Sequence, residues 1–249
     1  GKTQIIVPGA IQLVAYDAES GKRLWWVNGL ARIVNTIPAV HKDMLYMASW
    51  APGGDVGGQR IAMESWPEAL KSYDNNQDKP IRRDELPDGS PVLSRFFRID
   101  LNQDGGLDKN EWEKHAAVFQ QAQNQVMALR PSGKGDLTET HVLWKHRRGI
   151  PYVASPLLYN NVLFMVKDGG ILTTLDAGTG DLLRNRPRLR GRGPYYASPV
   201  VADGKVYLAS ERGVVTVVTA EGKWKSLATH DFKAGIYATP VVAQGRLFV

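Results

Sequence analysis

YASPVVADGKVYLASERGVVTVV, residues Tyr196 to Val218, is a hydroxyl-proline step, a short strand, a tight turn at Asp203-Gly204 and an apolar strand through Tyr207. A second turn at Arg212-Gly213 and another apolar strand complete it. A single unit of this kind leaves a sheet face uncovered and so needs copies of itself as neighbours. Copies are present. Ala154-Ser155-Pro156, Ala197-Ser198-Pro199 and Ala238-Thr239-Pro240 head three of them, with the prolines 43 and 41 residues apart. An aromatic stands eight residues after each proline, at Phe164, Tyr207 and Phe248, and a fourth copy pairs Thr36-Ile37-Pro38 with Tyr46.

A period near 42 with two turn signals per unit predicts the four-stranded blades of an all-β propeller. A meander in a sandwich is the other fold open to such strands, but it does not require one proline-aromatic offset four times. The chain is expected to begin and stop inside repeats, ending at Arg246-Leu247-Phe248-Val249 within a blade's second strand, and so to be a partial propeller.

Composition limits the chemistry. The 249 residues include no cysteine, which excludes disulfides, zinc-thiolate sites and cysteine nucleophiles. No segment has the length and apolarity of a membrane span, and no signal peptide heads the sequence. The net charge of +6 is unevenly spread. Residues 61–128 hold 12 acidic and 8 basic side chains, a net of −4, while the remainder carries +10. That break predicts an inserted module. Repeat spacing agrees, since Pro38 and Pro156 are 118 residues apart where one blade would give about 42. The expected division is blades over 1–58, an insertion over 59–123 and further blades over 124–249, with Gly53, Gly54, Gly57 and Gly58 as an entry linker.

The turn Asp17-Ala18-Glu19-Ser20-Gly21 recurs as Asp176-Ala177-Gly178-Thr179-Gly180. Asp there bonds its own backbone and Gly takes positive φ. Followed by a strand bearing Trp, as at Trp25, this pattern resembles the repeat of the quinoprotein-like (pyrroloquinoline-quinone-like) β-propellers. Trp144 stands at the same position of the repeat, and Trp224 lies near it after a turn that has lost its Asp. The resemblance covers roughly residues 3–58 and 124–249. It implies a periplasmic or extracellular protein. Many such proteins are non-enzymatic scaffolds that present loops to a protein partner, the outer-membrane assembly lipoprotein of bacteria among them. Others are quinone-dependent alcohol or sugar dehydrogenases. The latter commonly stack their quinone on a disulfide of adjacent cysteines, which this chain lacks, and no axial ligand set is placed here. A scaffold is therefore the expected function, with the dehydrogenase as the alternative.

The insertion carries the clearest chemistry. Asp100 to Glu111 fits the twelve-residue EF-hand calcium loop. Asp100, Asn102 and Asp104 would give side-chain oxygens at positions 1, 3 and 5. Gly105 would make the bend and Gly106 would give a backbone carbonyl, with Asp108 at position 9 and Glu111 closing the site with both oxygens. A second loop begins 26 residues earlier, with Asp74, Asn76, Asp78, Pro80 and Glu85 as ligands. Its flanks match at the same offset: Leu70 with Phe96, Tyr73 with Ile99, Ile81 with Leu107, Leu86 with Trp112. The insertion thus resembles a paired EF-hand module, with Ile81 and Leu107 joined across a two-stranded bridge, Ser65 capping its first helix and a last helix over residues 110–123. Lys79 replaces the bend glycine and Arg82 a ligand, so the first loop either binds calcium weakly or braces the second.

Arg184, Arg186, Arg188, Arg190 and Arg192 alternate. In a strand they would share one face and suit an anionic partner; a solvated outer loop is the plainer reading, and Pro187 argues against a strand. The five histidines show no metal spacing, and no hydrolase, P-loop, dinucleotide or nucleic-acid motif is present.

Overall fold

A computed structural model describes residues 3–52, 63–184 and 187–249. The chain divides into two compact units, residues 1–55 with 122–249, and residues 56–121. The glycine linker positions and Arg186 lie outside the described residues.

In the larger unit, β1 (Gln4–Pro8), β2 (Gln12–Asp17) and β3 (Arg23–Asn28) form an antiparallel meander. Burial alternates along β2 and β3, with Leu13, Ala15, Trp25 and Val27 inward, as the two-residue strand period requires. The turn between them is closed by Asp17 Oδ1, which accepts from the Ser20 amide at 2.8 Å, while Gly21 takes φ +66°. A second sheet starts with β4 (Ala39–His41) and β5 (Met44–Ser49). There the chain leaves to build α1 (Trp66–Tyr73), β6 (Ile81–Arg82), α2 (Phe96–Ile99), β7 (Gly106–Leu107) and α3 (Lys109–Gln121) of the smaller unit.

It returns as β8 (Gln125–Leu129), which pairs with β5 in unbroken register from Leu45↔Leu129 to Ser49↔Gln125. Two buried residues seal this junction. The Asn124 side-chain amide accepts from Ala51 N and donates to Ala51 O, both at 2.8 Å, and Gln125 Nε2 donates to Gly29 O at 2.7 Å. The following loop lends β9 (Gly135–Asp136) to the edge of β3 as a short parallel strand, and β10 (Val142–His146) completes the second sheet in the order β10-β8-β5-β4.

Two regular sheets follow. One is β11 (Leu157–Tyr159), β12 (Val162–Lys167), β13 (Ile171–Asp176) and β14 (Leu182–Arg184). The next is β15 (Val200–Ala202), β16 (Lys205–Ala209), β17 (Val214–Thr219) and β18 (Ser226–Asp231). The hairpin of β19 (Val241–Ala243) and β20 (Arg246–Phe248) comes last.

The second, third and fourth sheets bury both faces against their sequence neighbours, and the first sheet and the last hairpin bury one. Leu13, Trp25 and Val27 meet Leu45, Met47, Met127 and Leu129 of the second sheet. The other face of that sheet, Tyr46, Ala48, Val126 and Ala128, meets Leu163, Met165 and Leu175. Phe164, Val166 and Leu172 then meet Val206, Leu208 and Val218. At about 1.5–3 kcal/mol per large apolar side chain buried, these interleaved layers are the main stabilising term. The first strands of the sheets adjoin one another, β4 by β11, β11 by β15 and β15 by β19, so the sheets are set like successive blades; they do not close into a ring.

The repeated hydroxyl-proline step has a physical role. Ile37 N donates to Ser155 Oγ at 2.9 Å, Ser155 N to Ser198 Oγ at 3.0 Å, and Ser198 N to Thr239 Oγ1 at 3.1 Å. The residue before each proline therefore hands its amide to the equivalent hydroxyl of the next blade. Trp144 joins two blades differently. Its Nε1 donates to Ala177 O at 3.0 Å, and its ring lies where a side chain on Gly180 would be, 2.6 Å from an added Cβ.

Candidate metal centre

In the smaller unit, Trp66, Ala69, Ile81, Leu86, Phe96, Ile99, Leu107 and Trp112 form one core, with Leu70 and Tyr73 packed against it. Ser65 precedes α1, and the Glu68 carboxylate accepts from both its amide, at 3.1 Å, and its hydroxyl, at 2.7 Å. Those bonds hold the Glu68 carboxyl below the ordinary glutamate range, the hydroxyl contributing most. A 3-10 turn at Arg83–Glu85 follows β6 and does not extend into a helix, because Pro87 lacks an amide donor and forces its predecessor out of the helical region. The last helix ends at Gln121 rather than 123.

Residues 74–85 and 100–111 have matching backbones. Asp78 N bonds Asn76 Oδ1 at 2.8 Å, and Asp104 N bonds Asn102 Oδ1 at 3.0 Å. Lys79 N reaches Asp74 Oδ2 at 3.2 Å; Gly105 N reaches Asp100 Oδ2 at 3.1 Å. Glu85 Oε1 accepts from Asn75 and Oε2 from Arg82; Glu111 Oε1 accepts from Leu101 and Oε2 from Asp108. Left-handed φ recurs at Gln77 and Gln103, and again at Lys79 and Gly105. Ile81 pairs with Leu107 in the β6–β7 bridge.

That bridge explains Gly106. It sits opposite Arg82 and beside Pro80, and a Cβ on it would come 2.7 Å from Pro80 Cβ. A residue larger than glycine has no space there.

Asp100 and Glu111 are buried, 8% and 3% exposed, whereas Asn102, Asp104 and Asp108 are exposed. Among the described residues no three acidic or histidine side chains converge on one point. The carboxylates instead accept from amides of their own loop. One oxygen is left over: Asp100 Oδ1 is buried without a hydrogen-bond donor, as is Asp74 Oδ1 at the equivalent position. A buried carboxylate oxygen without a donor is costly, and a cation is one group that would satisfy it. The donor set, all oxygen, suits a hard divalent ion.

The loops differ at one decisive place. Arg82, where the later loop has Asp108, sends its Nε and a terminal nitrogen to Asp78 Oδ2, each at 3.3 Å. The sequence reveals that a cation stands there; which carboxylate it reaches is a matter of geometry.

Among its described residues the arginine run forms no continuous strand: β14 ends at Arg184, and Arg188 makes an isolated bridge to Ile171. The Arg184 guanidinium lies over the Trp224 ring at 4.1 Å. Arg184, Arg188 and Arg190 rim an open cleft of about 580 Å³ with Trp224, Ser226 and Thr229.

No family model matches the chain, and no curated protein matches it. Solved structures do. BamB from Moraxella catarrhalis aligns over 98% of this chain and 51% of its own, with 12% identity and a TM-score of 0.53. The computationally designed Ika8 protein aligns over 97% and 53%, with 10% identity and a TM-score of 0.51. A quinohemoprotein alcohol dehydrogenase, ADHIIG from Pseudomonas putida HK5, overlaps 41% of the chain at a TM-score of 0.32, too little to argue from. At such identities the likeness shows the fold, a β-propeller. The chain spans about half the length of the first two structures.

Proposed function

We propose that the protein is a calcium-binding, non-enzymatic propeller scaffold of quinoprotein-like repeats, whose 56–121 unit is a paired EF-hand module. The observation that carries this reading is Asp100 Oδ1, buried and donorless at the head of a loop whose backbone bonds recur 26 residues earlier. Asp100, Asn102 and Asp104, the Gly106 carbonyl, Asp108 and Glu111 would hold the ion; Asp74, Asn76, Asp78, the Pro80 carbonyl and Glu85 are the earlier loop's equivalents. A bound calcium ion supplies positive charge that offsets the mutual repulsion of these carboxylates.

Binding would act as an ordering device. Glu111 opens the first turn of α3 and Asp100 follows the last residue of α2, so any group that drew them together would fix the angle between those helices. The propeller loops and this module then offer surfaces to a protein partner. A periplasmic or extracellular setting, where calcium is plentiful, fits that role.

Calorimetric titration of the chelator-stripped chain tests the reading. Glu111→Gln removes the charge of the one bidentate ligand and should weaken calcium binding by roughly 100-fold or more, as expected from the dependence of affinity on ligand charge. Wild-type protein that takes up no calcium, or an unchanged titration for the variant, overturns it.

A further inference from the structure

The two loops share a backbone but not a charge arrangement. In 100–111 no basic side chain lies among the ligand positions. In 74–85 the Arg82 guanidinium rests on Asp78, which would supply the position-5 oxygen, and Arg82 itself replaces the position-9 ligand. We infer that Arg82 is the built-in cation of the first loop, so that the module holds a single calcium ion, in the loop of Asp100 to Glu111, and keeps the other loop shaped without metal. The inference rests on the proposed calcium reading for the occupied loop, where Asp100 Oδ1 is the independent sign of a missing cation.

Several facts converge on it. Lys79 holds the left-handed bend at φ +77°, a conformation costly for a side chain that glycine would relieve. A loop kept for metal capture gains from glycine there, and the second loop has it at Gly105. Arg82 and Asp78 are both partly exposed, at 46% and 39%, so their attraction is modest. Its consequence for a divalent ion is larger than its strength. One carboxylate is engaged, one ligand is missing, and a positive charge stands inside the coordination shell. Asp74 Oδ1 lacks a donor just as Asp100 Oδ1 does, so that oxygen does not separate the two loops, whereas the Arg82–Asp78 contact does.

The arrangement gives the first loop a purpose. Ile81 and Arg82 form the strand that pairs with Gly106 and Leu107. A first loop already closed by Arg82 presents that strand at all calcium levels, and pre-forms half of the bridge on which the binding loop sits. Binding then costs less ordering of the chain.

Two measurements test this on the full chain. In calorimetric titration, wild type should bind one calcium ion, and Arg82→Asp combined with Lys79→Gly should bind two. Two ions on wild type, or one on the variant, overturns the inference. In the calcium-free protein, Arg82→Ala should speed amide exchange across 74–85 by about two- to fivefold, the loss of one partly exposed ion pair, and leave 100–111 much less affected. Equal exchange in wild type and variant overturns it as well. Wild type that binds no calcium would defeat the proposed function, while the exchange result would still decide the role of Arg82.

Discussion

Gly106 shows how a single residue carries a constraint from elsewhere. Its neighbour across the short bridge is a proline ring, and an added methyl would stand 2.7 Å from Pro80 Cβ. Gly106→Ala should therefore destabilise the smaller unit by about 1–3 kcal/mol, the usual cost of overpacking. Pairing it with Pro80→Gly, which removes the Cβ that the added methyl meets, should recover part of that loss in chemical denaturation. A Gly106→Ala protein as stable as wild type would show that Pro80 does not confine this position. Glu68 acts at the same scale. Its carboxylate collects the Ser65 hydroxyl and amide, so its pKa is lowered in the folded state. Such a group contributes stability that is full above the ordinary glutamate range and is lost as pH falls through the depressed folded value. Helix signal followed by circular dichroism should drop in that acid window, and Glu68→Gln should flatten the change.

At the scale of elements, the blades are coupled by a hydrogen-bond relay as well as by apolar packing. Ser155, Ser198 and Thr239 each accept the amide that precedes the proline of the blade before. Ser198→Ala would leave the Ser155 amide without its partner. That should cost about 1–2 kcal/mol in urea unfolding, the price of an unmet donor near the core. Ser198→Thr, which keeps the hydroxyl, should stay within about 0.5 kcal/mol of wild type, the ordinary scatter of mild substitutions. Equal losses in both variants would mean that shape rather than hydrogen bonding matters there.

At the scale of the whole molecule, the break in the second blade is placed where it does least harm. Ser49 and Gln125 face each other in the ladder, so the chain leaves and re-enters at one point, and Asn124 clasps Ala51 across it. Replacing residues 53–122 by two glycines should leave a folded β protein. Its far-ultraviolet spectrum should lose the helical component, and the calcium uptake proposed for the inserted unit should be absent. Failure of the shortened chain to unfold cooperatively would show that the blade depends on the inserted unit.

The proline-aromatic offsets and the Asp-to-Gly turns were enough to read the propeller, because each blade repeats the same local needs: a turn, two buried strand faces, a fixed register. The kinship of the two acidic loops was legible as well, since their matching residues recur 26 positions apart and their backbones fold alike. Other features depend on partners far along the chain. Trp144 finds Gly180, the Ser155 amide finds Ser198, Pro80 excludes a side chain at Gly106, and Arg82 turns back onto Asp78. A sequence states which groups are available; only the packed backbone decides their distances, and hydrogen bonds and charge pairs are set by distance and direction rather than by identity alone.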